Sequence, residues 1–401
     1  MSANEEIITA HEDADNASLE NLRLKIKRYL EIDNVSVLAG AGTSFHLGAP
    51  IIRTVPDDLA RSCGRAIEKY FGEGAKPSYE DLFNCLQADS FLSQKKGGKG
   101  LTNAALKQKM QKWLFNNCNT EKCDICASYK DDVNLKANRY FYHEMLIKKL
   151  LQRPNNLSRV NLFTTNYDMA FDYALDNLGV FYINGFHGIH NRCFRPEVYD
   201  YDIYYPGQSV SGKVHRAEKV LRYYKLHGSL SWISEAPSPT NAYGIREMPL
   251  NGNFEFKAGT QLMIYPCVSK KTFTLDLPYS ELFRRFADAI NKPQSVLICL
   301  GYSFYDEHIN DIIYQALSNP SFTLFIVNYS PKPDPDSEIA RLQRLGDKRI
   351  IILDQCNDSQ STFVEFVKNV LPDLYELNDE ERIAETRSLL YSFRKGADDA
   401  K

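Results

Sequence analysis

Val35-Ser36-Val37-Leu38-Ala39-Gly40-Ala41-Gly42-Thr43-Ser44 is a short apolar run that passes without transition into small, glycine-punctuated residues. The first half reads as a buried strand of a parallel sheet, and the abrupt switch reads as a tight turn at its carboxyl end. Working outward, comparable runs recur at residues 160–164, 180–183, 262–265, 295–300, 323–327 and 349–353. They are short, rich in β-branched residues and widely separated. Amphipathic helices fall between several of them: residues 279–291 carry Leu282, Phe283, Phe286 and Ile290 on one face, and residues 306–317 carry Ile309, Ile312, Ile313 and Leu317. This alternation predicts an α/β fold built on a doubly wound, Rossmann-like parallel sheet.

The rest of the chain is arranged around that core. Residues 1–34 are expected to form an N-terminal helical segment, in which Leu19, Leu22, Leu24, Ile26, Tyr29 and Leu30 recur among charges. Roughly a hundred residues separate the first strand pattern from the second. The intervening residues 61–158 are mostly helical in pattern and read as a helical insertion between core segments 35–60 and 159–360. Inside it, Ser93-Gln94-Lys95-Lys96-Gly97-Gly98-Lys99-Gly100 is expected to be an exposed loop. Residues 361–401 read as a C-terminal helical segment whose charged part beyond Pro372 would lie on the surface. With 401 residues, 43% of them hydrophobic, the chain can bury a large core. A formal charge of −3 provides no global field to hold a polyanion, so direct binding of nucleic acid is not expected. The opening residues have no basic stretch leading into an apolar one, and no segment approaches the roughly 18 unbroken apolar residues of a membrane span. A cytoplasmic protein with no membrane partner is expected, its nine cysteines reduced.

Three strand ends carry candidate chemistry. The glycines of Gly40-Ala41-Gly42 could let a pyrophosphate approach the backbone closely, with amides of the following helix as donors. A standard dinucleotide fingerprint would place a glycine where Phe45 stands, so the turn by itself leaves a nucleotide loop and a bare turn both open. In Leu162-Phe163-Thr164-Thr165-Asn166-Tyr167-Asp168 a strand ends abruptly in polar residues. Asn166 could position a water or a sugar hydroxyl, and Asp168 could hold a ribose or simply cap the next helix. In Tyr224-Lys225-Leu226-His227-Gly228-Ser229-Leu230 a glycine leaves space beside an imidazole suited to accept a proton near neutrality, although a histidine at a strand end, taken alone, is more often structural. Cys299-Leu300-Gly301-Tyr302-Ser303-Phe304-Tyr305-Asp306 and Ile326-Val327-Asn328-Tyr329-Ser330 are two further switches of the same kind.

Taken in this order, Gly40-Ala41-Gly42-Thr43-Ser44, Thr164-Thr165-Asn166-Tyr167-Asp168, Leu226-His227-Gly228-Ser229, Gly301-Tyr302-Ser303 and Asn328 resemble the sirtuin-like NAD-binding family, in particular its bacterial antiphage-defence NADase branch. The resemblance covers the α/β core and omits the helical insertion and both ends. It implies that Gly40, Ala41, Gly42, Thr43 and Ser44 lie under the pyrophosphate of NAD⁺ and that Asn166 and Asp168 face the nicotinamide ribose. His227 would be the catalytic base, and Gly301, Ser303 and Asn328 would line the adenosine side. Asn166 and His227 are then the catalytic pair. Deacylase sirtuins carry a four-cysteine zinc ribbon shortly after their His-Gly pair, whereas residues 229–263 here contain no cysteine. The resemblance therefore favours NAD⁺ glycohydrolysis over NAD-dependent protein deacylation. The members of that branch deplete NAD⁺ on infection, which implies a homo-oligomer and a partner such as a HerA-like hexameric ATPase. A catalytically silent NAD-sensing or scaffold subunit is the reading from a different class, and the presence of both Asn166 and His227 argues against it.

Cys118, Cys123 and Cys126 form a zinc-like spacing whose fourth ligand is missing nearby, though His143 or Cys85 could reach it through the fold. Ordinary reduced thiols are the expected state and no metal is expected.

Overall fold

The computed structural model describes residues 8–9, 16–51, 54–95, 101–207, 214–250, 255–264, 277–328, 334–354 and 362–376. At its centre are eight strands: β1 (Ile8–Thr9), β2 (Asn34–Ala39), β3 (Asn161–Thr164), β4 (Phe181–Ile183), β9 (Val220–Lys225), β13 (Ser295–Leu300), β14 (Phe322–Asn328) and β15 (Ile350–Asp354). They form a wholly parallel sheet in the order β1-β15-β14-β13-β2-β3-β9-β4. The apolar runs are strands because both faces of each are covered. Val37 and Ala39 of β2 enter one core while Leu38 enters the other. On the first face lie α1 (Asn16–Leu30), Phe141–Leu150 and Ala170–Asn177, together with the C-terminal residues Phe363, Phe366, Val367 and Val370. The second face is covered by Tyr279–Ile290, Glu307–Ala316 and Glu338–Arg344. Helices on both faces make the sheet doubly wound, as the alternation predicts. The N-terminal segment is not helical throughout, because Ile8 and Thr9 extend the edge of the sheet by pairing with Leu353 and Asp354.

A second, antiparallel sheet has no counterpart in the expected fold. It is built from β5 (Phe186–His187), β6 (Arg192–Phe194), β10 (Gly228–Ser234), β11 (Ile245–Glu247) and β12 (Gln261–Met263), in the order β12-β10-β11-β6-β5. A separate hairpin joins β7 (Tyr204–Pro206) to β8 (Val214–Arg216). The run at residues 262–265 therefore contains a strand, but one that pairs antiparallel with β10 through Gly228↔Met263 instead of joining the parallel sheet. Periodicity identifies a strand and is silent on its partner, which here precedes it by a long stretch of sequence, as in the pair Ile233↔Gln261. Residue 265 itself falls outside the described residues.

Helices α2 (Asp57–Phe71), α3 (Tyr79–Lys95) and α4 (Leu101–Asn117) build a third core around Leu59, Cys63, Phe83, Leu86 and Leu114. Leu230 of β10 and Met263 of β12 enter the same core, so this helical module rests on the small sheet. The helix Phe141–Leu150, inside the expected insertion, instead packs in the parallel sheet's first core through Leu146, Ile147 and Leu150. Residues 93–95 complete α3, and the remainder of the loop expected at residues 93–100 lies outside the described residues, as does the tail from residue 377 onward. Among the described residues no helix is long and apolar enough to cross a membrane.

Candidate active site

β2 occupies the point where chain order reverses: β3 lies on one side of it and the much later β13 on the other. Ligand sites of open α/β sheets form at such a switch, beyond the carboxyl ends of the strands. The sequence candidates leave from these ends. Gly40 follows β2, Thr165 follows β3, Leu226 follows β9 and Gly301 follows β13, while Asn328 is the last residue of β14. Backbone hydrogen bonds knit the departing segments together, from Gly40 N–H to Leu300 O (2.9 Å), Thr165 N–H to Ala39 O (3.0 Å) and Leu226 N–H to Thr164 O (2.8 Å).

After β2 the chain makes one 3₁₀ helix, Ala41–Leu47, that ends at Gly48 with φ +86°. Asn166 is buried against it. Its side-chain amide donates to Thr43 Oγ1 (3.1 Å) and Ser44 Oγ (3.2 Å), and its backbone N–H donates to Thr164 Oγ1 (3.0 Å). The Thr43 hydroxyl in turn donates to Gly40 O (2.8 Å). Both donors of the amide face protein, so the carbonyl oxygen is the end of Asn166 left for a ligand.

Asp168 is likewise buried, and one carboxylate oxygen accepts the N–H of Ala170 (3.0 Å), the first residue of the following helix Ala170–Asn177, whose N-cap position is Met169. Burial pushes its carboxyl above the usual range, and the charge of Lys225, the Ala170 N–H and the neighbouring Ser44 hydroxyl oppose that rise.

His227 occupies the corner between the two sheets. β9 ends at Lys225 and β10 begins at Gly228, so Leu226 and His227 are the whole junction. The turn needs glycine next, because Gly228 has φ +86° and an added Cβ would lie 2.2 Å from Leu262 O. The His227 carbonyl accepts the Ile264 N–H (2.8 Å), which fixes the backbone beneath the ring. The imidazole packs near Tyr167 and Phe283, and its ring centroid is 5.6 Å from that of His308.

Ala41, Ser44, Asn166, Asp168, His227 and Ser303 all line one cleft of about 480 Å³. Gly40, Gly42, Thr43, Gly301 and Asn328 are not part of its wall. The Cβ directions of Gly40 and Gly42 run into the Gly301 backbone, so these three glycines allow two turns to touch. Asn328 is buried at the end of β14.

Ser78, Glu80 and Cys118 reach the cleft from the helical module, and Tyr305 and Asp306 from the switch after β13, although the sequence marks Cys118 only as a zinc-like cysteine and none of the five as a site residue. The first three could not be found, since nothing local ties the ends of α3 and α4 to the sheet. Asp306 was within reach, because it closes the polar stretch after β13, directly before the helix that carries His308. Burial pushes the Cys118 thiol well up, and Cys123 Sγ lies 3.1 Å from Asn117 O and 3.2 Å from Asn119 O, sharing its one proton between them. No group of three or more His, Cys, Asp or Glu side chains that could hold a metal occurs among the described residues.

The wall combines three carboxylates, of Glu80, Asp168 and Asp306, and among the described residues no lysine or arginine lines it. Such a lining favours a cationic group in the cleft and stabilises positive charge that develops there.

The fold and the cleft thus define an open parallel α/β protein with a polar, acidic site at its topological switch point. Within it, residues 160–350 match the model of the SIR2-like domain family. No curated protein matches the chain. Among solved structures it is similar to a Sir2 homologue in complex with NAD, at 13% identity and a TM-score of 0.40, covering 87% of this chain and 94% of that one. It is also similar to a histidine-to-asparagine mutant of a Sir2 homologue in complex with ADP-ribose, at 13% identity and a TM-score of 0.39, covering 86% and 95%.

Proposed function

We propose that the protein is an NAD⁺ glycohydrolase that cleaves the bond between nicotinamide and ribose. The observation that carries this reading is the meeting of Asn166, Asp168 and His227, from two separate strand ends, on one acidic cleft beyond the sheet's switch point. Nicotinamide joined to ribose is a pyridinium cation, which suits a wall of three carboxylates. When the glycosidic bond breaks, its electron pair passes to the pyridine nitrogen and the sugar is left oxocarbenium-like, with positive charge near its anomeric carbon. The carbonyl oxygen of Asn166 holds the water that attacks this carbon, Asp168 holds the ribose, and His227 acts as base toward the ribose hydroxyls. Water supplies the new C–O bond and loses one proton to solvent through the site, giving ADP-ribose and nicotinamide. The pyrophosphate would rest on Gly40, Ala41, Gly42, Thr43 and Ser44, and Gly301, Ser303 and Asn328 would face the adenosine half.

Hydrolysis is preferred to protein deacylation because residues 229–263, where a deacylase would carry its zinc ribbon, contain no cysteine. The resemblance in sequence further supports a role in antiphage defence by NAD⁺ depletion, within a homo-oligomer controlled by a HerA-like ATPase. Light scattering of the chain with and without such an ATPase tests that assembly. The chemistry is tested by incubating purified protein with NAD⁺ and following free nicotinamide and ADP-ribose. Asn166→Ala and His227→Ala are each expected to lower turnover by about 10²–10⁴-fold, the usual contribution of a positioned base, while the fold survives. Equal nicotinamide release by the wild type and both variants would end this reading.

A further inference from the structure

Directly behind the cleft lies a buried charge cluster that the proposed chemistry does not use. Lys225 is the last residue of β9, two before His227, and its side chain is buried. Its ammonium donates to the backbone carbonyl of Asp168 and to the Asp172 carboxylate (3.0 Å), and it lies 3.5 Å from Met169 Sδ. The Tyr223 hydroxyl donates to the same Asp172 oxygen (3.0 Å). Asp172 belongs to the helix whose first N–H Asp168 accepts. One cation therefore bridges the turn carrying Asn166 and Asp168 to the strand that delivers His227.

We propose that Lys225 is a positioning residue for this cleft: it fixes the turn of residues 166–168 against the His227 strand and sets its positive charge beside the segment that carries the Asp168 carboxyl group. Burying an ammonium is costly, and a purely structural tie between a strand and a helix would be made as well by apolar packing. The placement differs from a generic ion pair because its acceptors belong to the site's own turn and to the helix that follows it. The ionisable groups that act on Asp168 are Lys225, Asp172, Tyr223, Cys118, Cys123 and Tyr140, and Glu80, Asp306 and His227 share the cleft with it. Burial raises those thiols and phenols, so they are neutral near neutrality, and Lys225 is the cation that acts on Asp168. Its charge favours the ionised form of Asp168, whereas Asp172 opposes it.

The proposal rests on the glycohydrolase reading for its role in turnover, and the test separates the two. Lys225→Met and Asp172→Asn are compared with wild type by carbon-13 titration of the Asp168 carboxyl and by kcat and KM for NAD⁺ against pH. Removing the cation is expected to move the Asp168 titration, and the acid limb of the rate profile with it, to higher pH by about one to three units. Removing Asp172 should move both to lower pH. Opposite displacements are the signature, since loss of structure alone would depress both variants without such a split. If Lys225→Met does not fold, because it leaves Asp172 buried and unpaired, the downward shift in Asp172→Asn carries the test. Titrations that stay put or move the same way in both variants would overturn the proposal. A wild type that releases no nicotinamide would overturn the glycohydrolase reading alone, and the carboxyl titration would still decide the role of Lys225.

Discussion

An added Cβ at Gly301 would lie 2.6 Å from the Thr43 amide nitrogen and 2.7 Å from the Gly42 Cα, and the residue has φ +59°. Neither obstacle is a flexible side-chain end, so the two turns must separate to admit one. Gly301→Ala is therefore expected to cost about 2–5 kcal/mol, combining left-handed backbone strain with overpacking, and to pull the Ala41–Leu47 turn from its place beneath Asn166. Urea denaturation measures it, and a variant as stable as wild type would show that the turns can part freely. The glycines were legible in the sequence as a tight turn. Their contact with each other was not, because Gly42 and Gly301 are far apart along the chain and meet only when β2 pairs with β13. Asn166, Asp168 and His227 were legible individually, because a polar residue directly after an apolar strand falls where open α/β sheets build their sites. Lys225 was not, since a lysine beside an apolar run reads as a strand end reaching solvent, and only its burial beside Asp172 gives it meaning.

The 3₁₀ turn after β2 is anchored from below by a second histidine pair. His46 lies in that turn and His143 in the helix Phe141–Leu150, with ring centroids 5.3 Å apart, and both pack on Phe363 of the C-terminal segment at 5.6 and 5.0 Å. None of their four ring nitrogens has a hydrogen-bond partner among the described residues. Burial holds His46 down to about 3 and His143 well below its ordinary value, so both are neutral in the folded protein. Above about pH 6.5 neither the folded nor the unfolded state binds these protons, and the contact contributes in full. As the pH falls below that value the unfolded chain takes them up and the folded chain does not, so stability drops by up to about 1.4 kcal/mol per pH unit for each histidine. Unfolding free energies measured between pH 7 and pH 5 should fall accordingly, and His46→Phe with His143→Phe should flatten the slope. An unchanged slope would show that these rings are hydrated. At this scale the β-branched strands of the parallel sheet and the amphipathic helices were legible in advance. The small sheet was concealed, because β5, β6 and β11 span only two or three residues and the pairing of β10 with β12 joins distant segments that no local pattern connects.

The cleft is shared between two bodies of the molecule. The parallel sheet supplies Asn166, Asp168 and His227, while the helical module supplies Ser78 and Glu80 at the start of α3 and Cys118 just after α4. That module has its own core, joined to the remainder through Leu230 and Met263 of the small sheet, and β10 starts at the residue after His227. A ligand filling the cleft therefore touches both bodies, and β10 connects His227 directly to the module's core. ADP-ribose, the expected product, serves as a probe that is not consumed. At a hundredfold excess over its Kd it should stabilise the fold by about 2.7 kcal/mol, because it binds the folded chain and not the unfolded one. Hydrogen exchange should then slow on both sides at once, in the turn of residues 164–170 and around residues 78–82 and 114–120. Protection restricted to the sheet's loops would mean that the module stands beside the site without taking part in it. Protection on both sides would mean that whatever moves the module, a second subunit or a partner included, changes the shape of the cleft, since a contact can regulate a site only by favouring one of its states over another.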